Sequence, residues 1–290
     1  MKKYAYFPGC SLESMELSYH QSTVEVSKAL GVELQELEDW NCCGATAYFH
    51  VDEFLAYALC ARNLAMADKE KLDVVAPCSG CFKNMYFTRE HLKEDPDLAE
   101  HVNDALKEDN LRFTGASRVR HLIDVFVQDV GLEAVKKAVK KPLKGLRVAT
   151  YYGCQIVRPR KDHEEIERPR FFEDLVAALG AEPVDFLWKL RCCGGSLIVT
   201  NRQAALSMVR DLLEEAVRQK ADLIVTACPL CQVNLECYQG HVNGAFGTNL
   251  SVPVLFFTQL MGVALGASPD SLGIGKERVS AEAALGKVAP

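Results

Sequence analysis

The sequence has no basic surplus. Its 33 lysines and arginines face 39 aspartates and glutamates, a net charge of −6, so nucleic-acid binding lacks its usual electrostatic footprint. It has no apolar run long enough for a bilayer. The stretch from Val252 to Ala267 is apolar but too short, and Pro253, Thr258 and Gln259 interrupt it; it reads as a strand followed by a buried helix, with no transmembrane segment expected. The opening Met1-Lys2-Lys3-Tyr4 lacks the apolar core of a signal peptide, which implies a cytoplasmic protein. Gly273-Ile274-Gly275 has no strand before it and no helix after it, so a dinucleotide site is not expected, and no other flavin or nicotinamide signature occurs.

What the chain does have is cysteine, 12 in 290 residues. Ten form two sets. Cys10 is followed after 31 residues by Cys42-Cys43, then after 34 by Cys78-Ser79-Gly80-Cys81; Cys154 is followed after 37 by Cys192-Cys193, then after 34 by Cys228-Pro229-Leu230-Cys231. An offset of 150 superposes Asn84 on Asn234 and His91 on His241, and an offset of 144 superposes Ala5 on Ala149 and Gly9 on Gly153. This is an internal duplication, read here as two domains, 1–143 and 144–290, each of ordinary size with room for its own core. At 49% hydrophobic and 25% charged residues, the composition is that of a soluble globular protein.

Within each unit, strands alternate with helices. Strands are expected over Tyr4–Phe7, Val32–Leu37 and Asp73–Ala76, then over Arg147–Tyr151, Pro183–Phe186 and Leu223–Thr226. Helices are expected over Leu17–Leu30, closed by Gly31, and over Asp52–Lys71, Glu165–Leu179 and Arg202–Lys220. Ala99–Gly131 reads as polar helix and connector, and the lysine-rich stretch from Lys136 to Lys144 as a solvated linker. The pattern gives an α/β fold of two pseudo-symmetric halves, each a small, mostly parallel sheet flanked by helices. The cysteines fall at strand ends and helix starts, where ligands of parallel sheets bind. Both Cys-Cys-Gly loops can therefore meet at a shared interface. Gly9, Gly44, Gly153 and Gly194 let the backbone pass close to something bulky.

The absence of a secretion signal argues against a disulfide framework. Zinc is usually held by two chelating pairs, and adjacent cysteines reach one tetrahedral ion poorly. A thioredoxin-like dithiol fits Cys228-Pro229-Leu230-Cys231 but leaves the other cysteines unexplained. An ordinary cubane needs four thiolates, one fewer than each set offers; a larger or opened cluster remains.

The cysteine spacing, with glycine after each pair, resembles the CCG domain. Two copies without a ferredoxin segment resemble the family of B-type subunits of heterodisulfide reductase, and the likeness extends to Phe257–Gly266. The resemblance implies that Cys10, Cys42, Cys43, Cys78 and Cys81 bind one non-cubane [4Fe-4S] cluster, and Cys154, Cys192, Cys193, Cys228 and Cys231 a second. It implies no catalytic residues beyond these ligands. The implied activity is reduction of a disulfide substrate at the two clusters. The implied partners are a ferredoxin-like iron–sulfur subunit of the C type and a flavoprotein subunit of the A type. The alternative is an iron–sulfur electron-transfer subunit of a glycolate or lactate oxidase or a succinate dehydrogenase.

Other residues are weighed separately. Cys60 and Cys237 have no counterpart in the other half and read as buried free cysteines. Asn84 and Asn234 brace the Cys-Cys loop, bond a cluster sulfur, or simply pack; His91 and His241 read as structural. Arg158, Arg160, Lys161, His163 and Arg191 make either an anion site or a solvated basic surface.

Overall fold

In the computed structural model, the residues described are 2–45, 48–158, 160 and 166–288. Two four-stranded sheets form, each wholly parallel. The first contains β1 (Lys2–Tyr6), β2 (Val32–Glu36), β3 (Val74–Ala76) and β4 (Val119–His121), in the order β2-β1-β3-β4. The second contains β5 (Arg147–Tyr151), β6 (Glu182–Pro183), β7 (Leu223–Thr226) and β8 (Val254–Phe256), in the order β6-β5-β7-β8. Element for element, the topology repeats with the cysteines.

Strand side chains alternate between two environments, as the two-residue period of a strand requires. In the first sheet Ala5, Val74 and Ala76 face a core confined to that half, while Tyr4 and Val75 face a core shared by both halves. In the second, Ala149, Ile224 and Val254 face a private core, and Val148, Leu223, Val225 and Leu255 face the shared one. Sheets covered on both faces read as nearly continuous apolar runs, which is how Leu223–Thr226 (LIVT) reads. The private cores lie under the helices Glu53–Glu70 and Ser79–Glu94 in one half and Arg202–Arg218 and Pro229–Cys237 in the other.

The helix Leu17–Ala29 packs across the shared core on the helix Phe257–Ala264. Tyr19 stacks on Phe256 with ring centroids 3.9 Å apart. Ser22 Oγ and Thr258 Oγ1 lie 2.6 Å apart in a buried hydrogen bond. The Tyr19 hydroxyl donates to the Pro77 carbonyl at 2.8 Å and, more weakly, to the Ala227 carbonyl at 3.4 Å, joining the ends of β3 and β7. Ser79 Oγ also donates to Ala227 O, at 3.0 Å, and lies 3.3 Å from Nε2 of the buried His121. Because His121 Nδ1 accepts from the Ile123 amide, the ring is neutral with its proton on Nε2. Arg160 and Asp124 make a second crossing, a 2.9 Å ion pair with both side chains buried.

Five sequence expectations change. β4 lies within the segment whose pattern presents polar helix and connector, because three residues are too few for a periodic signal. In place of the strand expected over Pro183–Phe186, a two-residue strand forms at Glu182–Pro183, an edge position that suits a residue without an N–H. The Lys136–Lys144 segment is not a free linker: Leu143 is buried in the shared core, and the Lys140 and Lys141 amides donate to Ala264 O at 2.9 Å. The helix expected from Glu165 is described over Phe171–Ala178, and Glu165 itself lies outside the described residues. The α/β parallel-sheet architecture stands, but its cluster-binding loops do not. Among the described residues no group of three or more His, Cys, Asp or Glu side chains is arranged to hold a metal ion, at the interface or elsewhere.

Two measurements test this interface. Phe257 is buried among aromatic rings from both halves, including Tyr19, Phe126 and Phe172, so Phe257→Ala should cost about 3–5 kcal/mol in urea unfolding. Burial lowers the His121 pKa to about 4, below its ordinary 6.5. The unfolded chain therefore binds the extra proton between these values, and stability is lost as pH falls from about 6.5 to about 4. His121→Gln should remove that part of the pH dependence, on the order of 3 kcal/mol; an unchanged stability difference between wild type and variant across this window would show that His121 titrates normally.

Candidate functional site

Parallel strands deliver their loops to one edge. Cys10 follows β1, Cys42-Cys43 follows β2, and Cys78 caps the helix Ser79–Glu94 after β3. Cys154, Cys192-Cys193 and Cys228 repeat this after β5, β6 and β7, with Cys228 capping Pro229–Cys237. The Tyr19 and Ser79 crossings at Pro77 and Ala227 stand immediately before Cys78 and Cys228. They set the two Cys-x-x-Cys motifs against each other.

The sulfurs form a line through both halves. Cys10 and Cys42 sulfurs are 3.9 Å apart, Cys43 and Cys81 are 3.3 Å apart, and Cys193 and Cys231 are 3.5 Å apart. Cys78 interacts with Cys228 across the interface, and Cys154 with Cys192 at the far end. Adjacent thiols of each pair and of each Cys-x-x-Cys complete the series. Cys10 and Cys42 are exposed, Cys43, Cys81, Cys193, Cys228 and Cys231 are buried, and Cys78, Cys154 and Cys192 are half-buried. Gly9 and Gly153 take φ of +76° and +68°, and a Cβ at either would stand 3.0 Å from the sulfur of Cys81 or Cys231. The bulky neighbour that the glycines imply is, at these two positions, a cysteine of the same half.

Hydrogen bonding among thiols separates their acidities. Cys43 falls well below the ordinary thiol range because Cys42 and then Cys81 donate to it, while Cys42 and Cys81 are pushed up. Cys193 is lowered in the same way by Cys192 and Cys231. Across the interface Cys228 is lowered, chiefly by Cys231 and Cys78, and Cys78 is raised. Backbone amides at the start of its helix support the Cys228 thiolate, as a helix N-terminus should.

Asn84 and Asn234 brace the loops. Asn84 Nδ2 donates to Cys43 O at 3.1 Å; Asn234 Nδ2 donates to Cys193 O at 3.1 Å and Gly195 O at 3.0 Å. Cys60 is fully buried, its thiol donating to Cys43 O at 3.3 Å, whereas Cys237 is half-buried beside Glu236 at 3.2 Å. His91 stacks on Tyr57 and Phe87, and His241 leans on Tyr238. Arg160 is taken up by Asp124, whereas Arg158 and Arg191 are exposed; Lys161 and His163 lie outside the described residues. Sequence reasoning misses Tyr19 and His121. Neither is repeated, His121 being matched by Phe256 at the end of β8, so the duplication carries no signal for them.

The contact pattern also corrects the chemistry that the resemblance implied. The sulfurs meet in successive pairs, and no three or more candidate ligands of the described residues surround a point that an ion would occupy. This arrangement does not fit the two non-cubane [4Fe-4S] clusters. The cluster-based disulfide reductase and the alternative iron–sulfur transfer subunit lose their support with them.

Comparison with known proteins fixes the class. The cysteine-rich domain CCG matches residues 4–86 and 148–236, and the chain belongs to this cysteine-rich domain family. Within it, the chain is homologous to the B-type subunits of heterodisulfide reductases. It is 35% identical over 293 residues to the B-type subunit of the ferredoxin:CoB-CoM heterodisulfide reductase of Methanosarcina mazei, covering 99% of this chain and 97% of that protein. It is 36% identical over 282 residues to the membrane anchor subunit of the 8-methylmenaquinol:fumarate reductase of Wolinella succinogenes, covering 97% and 98%. Among solved structures, a hypothetical protein from Helicobacter pylori shares the fold, with TM-score 0.77 and 16% identity over 96% of this chain and 52% of that one. Among the described residues no helix is long and apolar enough to cross a membrane.

The loop brace predicts an order of stabilities. Asn234→Ala removes the donor to two carbonyls and should cost about 1–3 kcal/mol, with Asn84→Ala at the lower end. Cys60→Ala should cost roughly 1 kcal/mol. Urea midpoints for the three variants check the order, and a larger loss at Cys60 than at Asn234 would contradict it.

Proposed function

We propose that this chain is a redox subunit of a multi-subunit oxidoreductase of the heterodisulfide-reductase-related family. Its working residues are Cys10, Cys42, Cys43, Cys78, Cys81, Cys154, Cys192, Cys193, Cys228 and Cys231, acting as thiols. The observation that carries this reading is the line of sulfurs from exposed Cys10 to half-buried Cys154, crossing between halves at Cys78 and Cys228. Thiolates at Cys43 and Cys193 lie beside the thiols of Cys81 and Cys231, the arrangement from which a disulfide forms. Each such pair, one thiolate and one thiol, releases two electrons and one proton on closing its disulfide, and a flavin accepts electrons in that number.

The partners proposed are therefore a flavoprotein subunit and a ferredoxin-like iron–sulfur subunit. The names of the relatives, which are subunits of larger enzymes, support partner subunits in general. We place the complex in the cytoplasm and the boundary between the two cysteine-rich domains at 143/144.

The test is a thiol count of the anaerobically purified chain across a redox titration, with peptide mapping of the oxidised form. The expected result is loss of thiols in twos, with Cys43–Cys81 and Cys193–Cys231 as the pairs formed. Cys81→Ser should abolish the first couple and leave the second. Ten thiols that stay free under mild oxidants, or random pairing, would sink the proposal.

A further inference from the structure

The two halves differ in charge around their cysteine loops. In the first half, between Cys10 and Cys42 in sequence, Glu13, Glu36, Glu38 and Asp39 share one surface beside Trp40. Beside Cys192, in the other half, is a cavity of about 240 Å³ lined by Arg158, Arg191, Met208, Asp211 and Leu212. Asn41, which matches Arg191 in the repeat, is tied down by Asn63, Leu59 and Arg62. Arg191 is instead exposed, with its guanidinium 4.3 Å from the centre of the Trp188 ring. Stacking orients the plane of a guanidinium and leaves its in-plane N–H groups to bond elsewhere. Arg158 is likewise exposed. Asp211, the carboxylate in the lining, is paired with Arg210 at 2.6 Å. Among the described residues, neither Arg158 nor Arg191 has an ion-pair partner.

Two exposed guanidiniums without ion-pair partners among the described residues converge on one cavity, and such forked donors suit an oxyanion. Met208 and Leu212 supply an apolar wall. We propose that this cavity binds a small organic oxyanion, a carboxylate or phosphate group carrying a short apolar portion, alongside the Cys192 sulfur. Arg158 and Arg191 grip the charge, Met208 and Leu212 take the apolar portion, and the acidic surface of the first half rejects the same ligand. The site needs nothing of the thiol chemistry proposed above and stands or falls separately.

Calorimetric titration of the full chain with succinate, with inorganic phosphate and with neutral succinamide tests the site. The expected result is saturable binding of at least one anion, none of succinamide, and weakening as salt is raised. The succinate and phosphate arms tell a carboxylate site from a phosphate site. Arg158→Gln and Arg191→Gln, both at exposed positions, should each weaken binding about fivefold, the size expected for one unit charge at contact distance in water. Arg191→Lys keeps the charge but loses the fork and should fall between. In parallel, iodoacetate should be favoured over iodoacetamide at Cys192 relative to Cys42, again by about fivefold. No heat with either anion, equal heat with succinamide, or binding unchanged in the Arg158→Gln/Arg191→Gln double variant overturns the proposal.

Discussion

Everything at the site depends on a small set of hydrogen bonds where the ends of β3 and β7 meet. One tyrosine hydroxyl, that of Tyr19, reaches the carbonyls of Pro77 and Ala227, and Ser79 reaches Ala227 from the other side. These carbonyls come just before Cys78 and Cys228, so satisfying buried backbone acceptors and aligning the central sulfurs are one event. Buried carbonyls without donors are costly, and here the donors come from the opposite half or from its neighbouring helix. His121 holds Ser79 in place through a neutral ring whose tautomer its own backbone contact fixes. The sulfur line is thus continuous because the two sheets are fastened at the edge from which the cysteines emerge.

Much of this was legible in the sequence. The duplication implied two matched units, and the alternation of apolar runs with amphipathic stretches implied parallel α/β halves. The strands at Arg147–Tyr151 and Leu223–Thr226 agree residue for residue with expectation, because both are rich in β-branched, aromatic and aliphatic residues that favour strands. What escaped was whatever the repeat does not contain. β4 is three residues long and carries Arg120 and His121, so neither hydrophobic period nor composition exposes it. Tyr19, which donates across the halves, and His121, which holds the cross-half donor Ser79, lie far in sequence from the cysteines they align, and a spacing argument has no access to them. The expectation of metal ligation had another origin. Five cysteines per set is a statement about composition, whereas holding an ion requires three or more donors about one point, and linear spacing cannot distinguish that from donors strung in pairs.

Asn84 and Asn234 show the opposite case. Their repetition marked them, and in both halves the amide spans the helix-to-loop gap to the carbonyl of the second cysteine. The matched geometry, 3.1 Å on each side, belongs to the part of the unit that stayed the same after duplication. Asn41 and Arg191 belong to the part that diverged. One is absorbed in a local network, and the other stands over a tryptophan at the mouth of a cavity.

The core shared by both halves has a consequence for how such divergence becomes available. Tyr4 and Val75 on one side, with Val225 and Leu255 on the other, have their apolar surface covered only when both sheets are present. Two identical copies associating through that face would be bound by symmetry, and a mutation at one end of the sulfur line would appear at the other as well. Joining the copies in one chain, with Lys140 and Lys141 pinned to Ala264, lifts that restriction. Each end then accumulates its own charges while the middle, where the halves must still match, stays under a common constraint. Covalent linkage here works as a release from symmetry, and the acidic and basic ends are what that release permits.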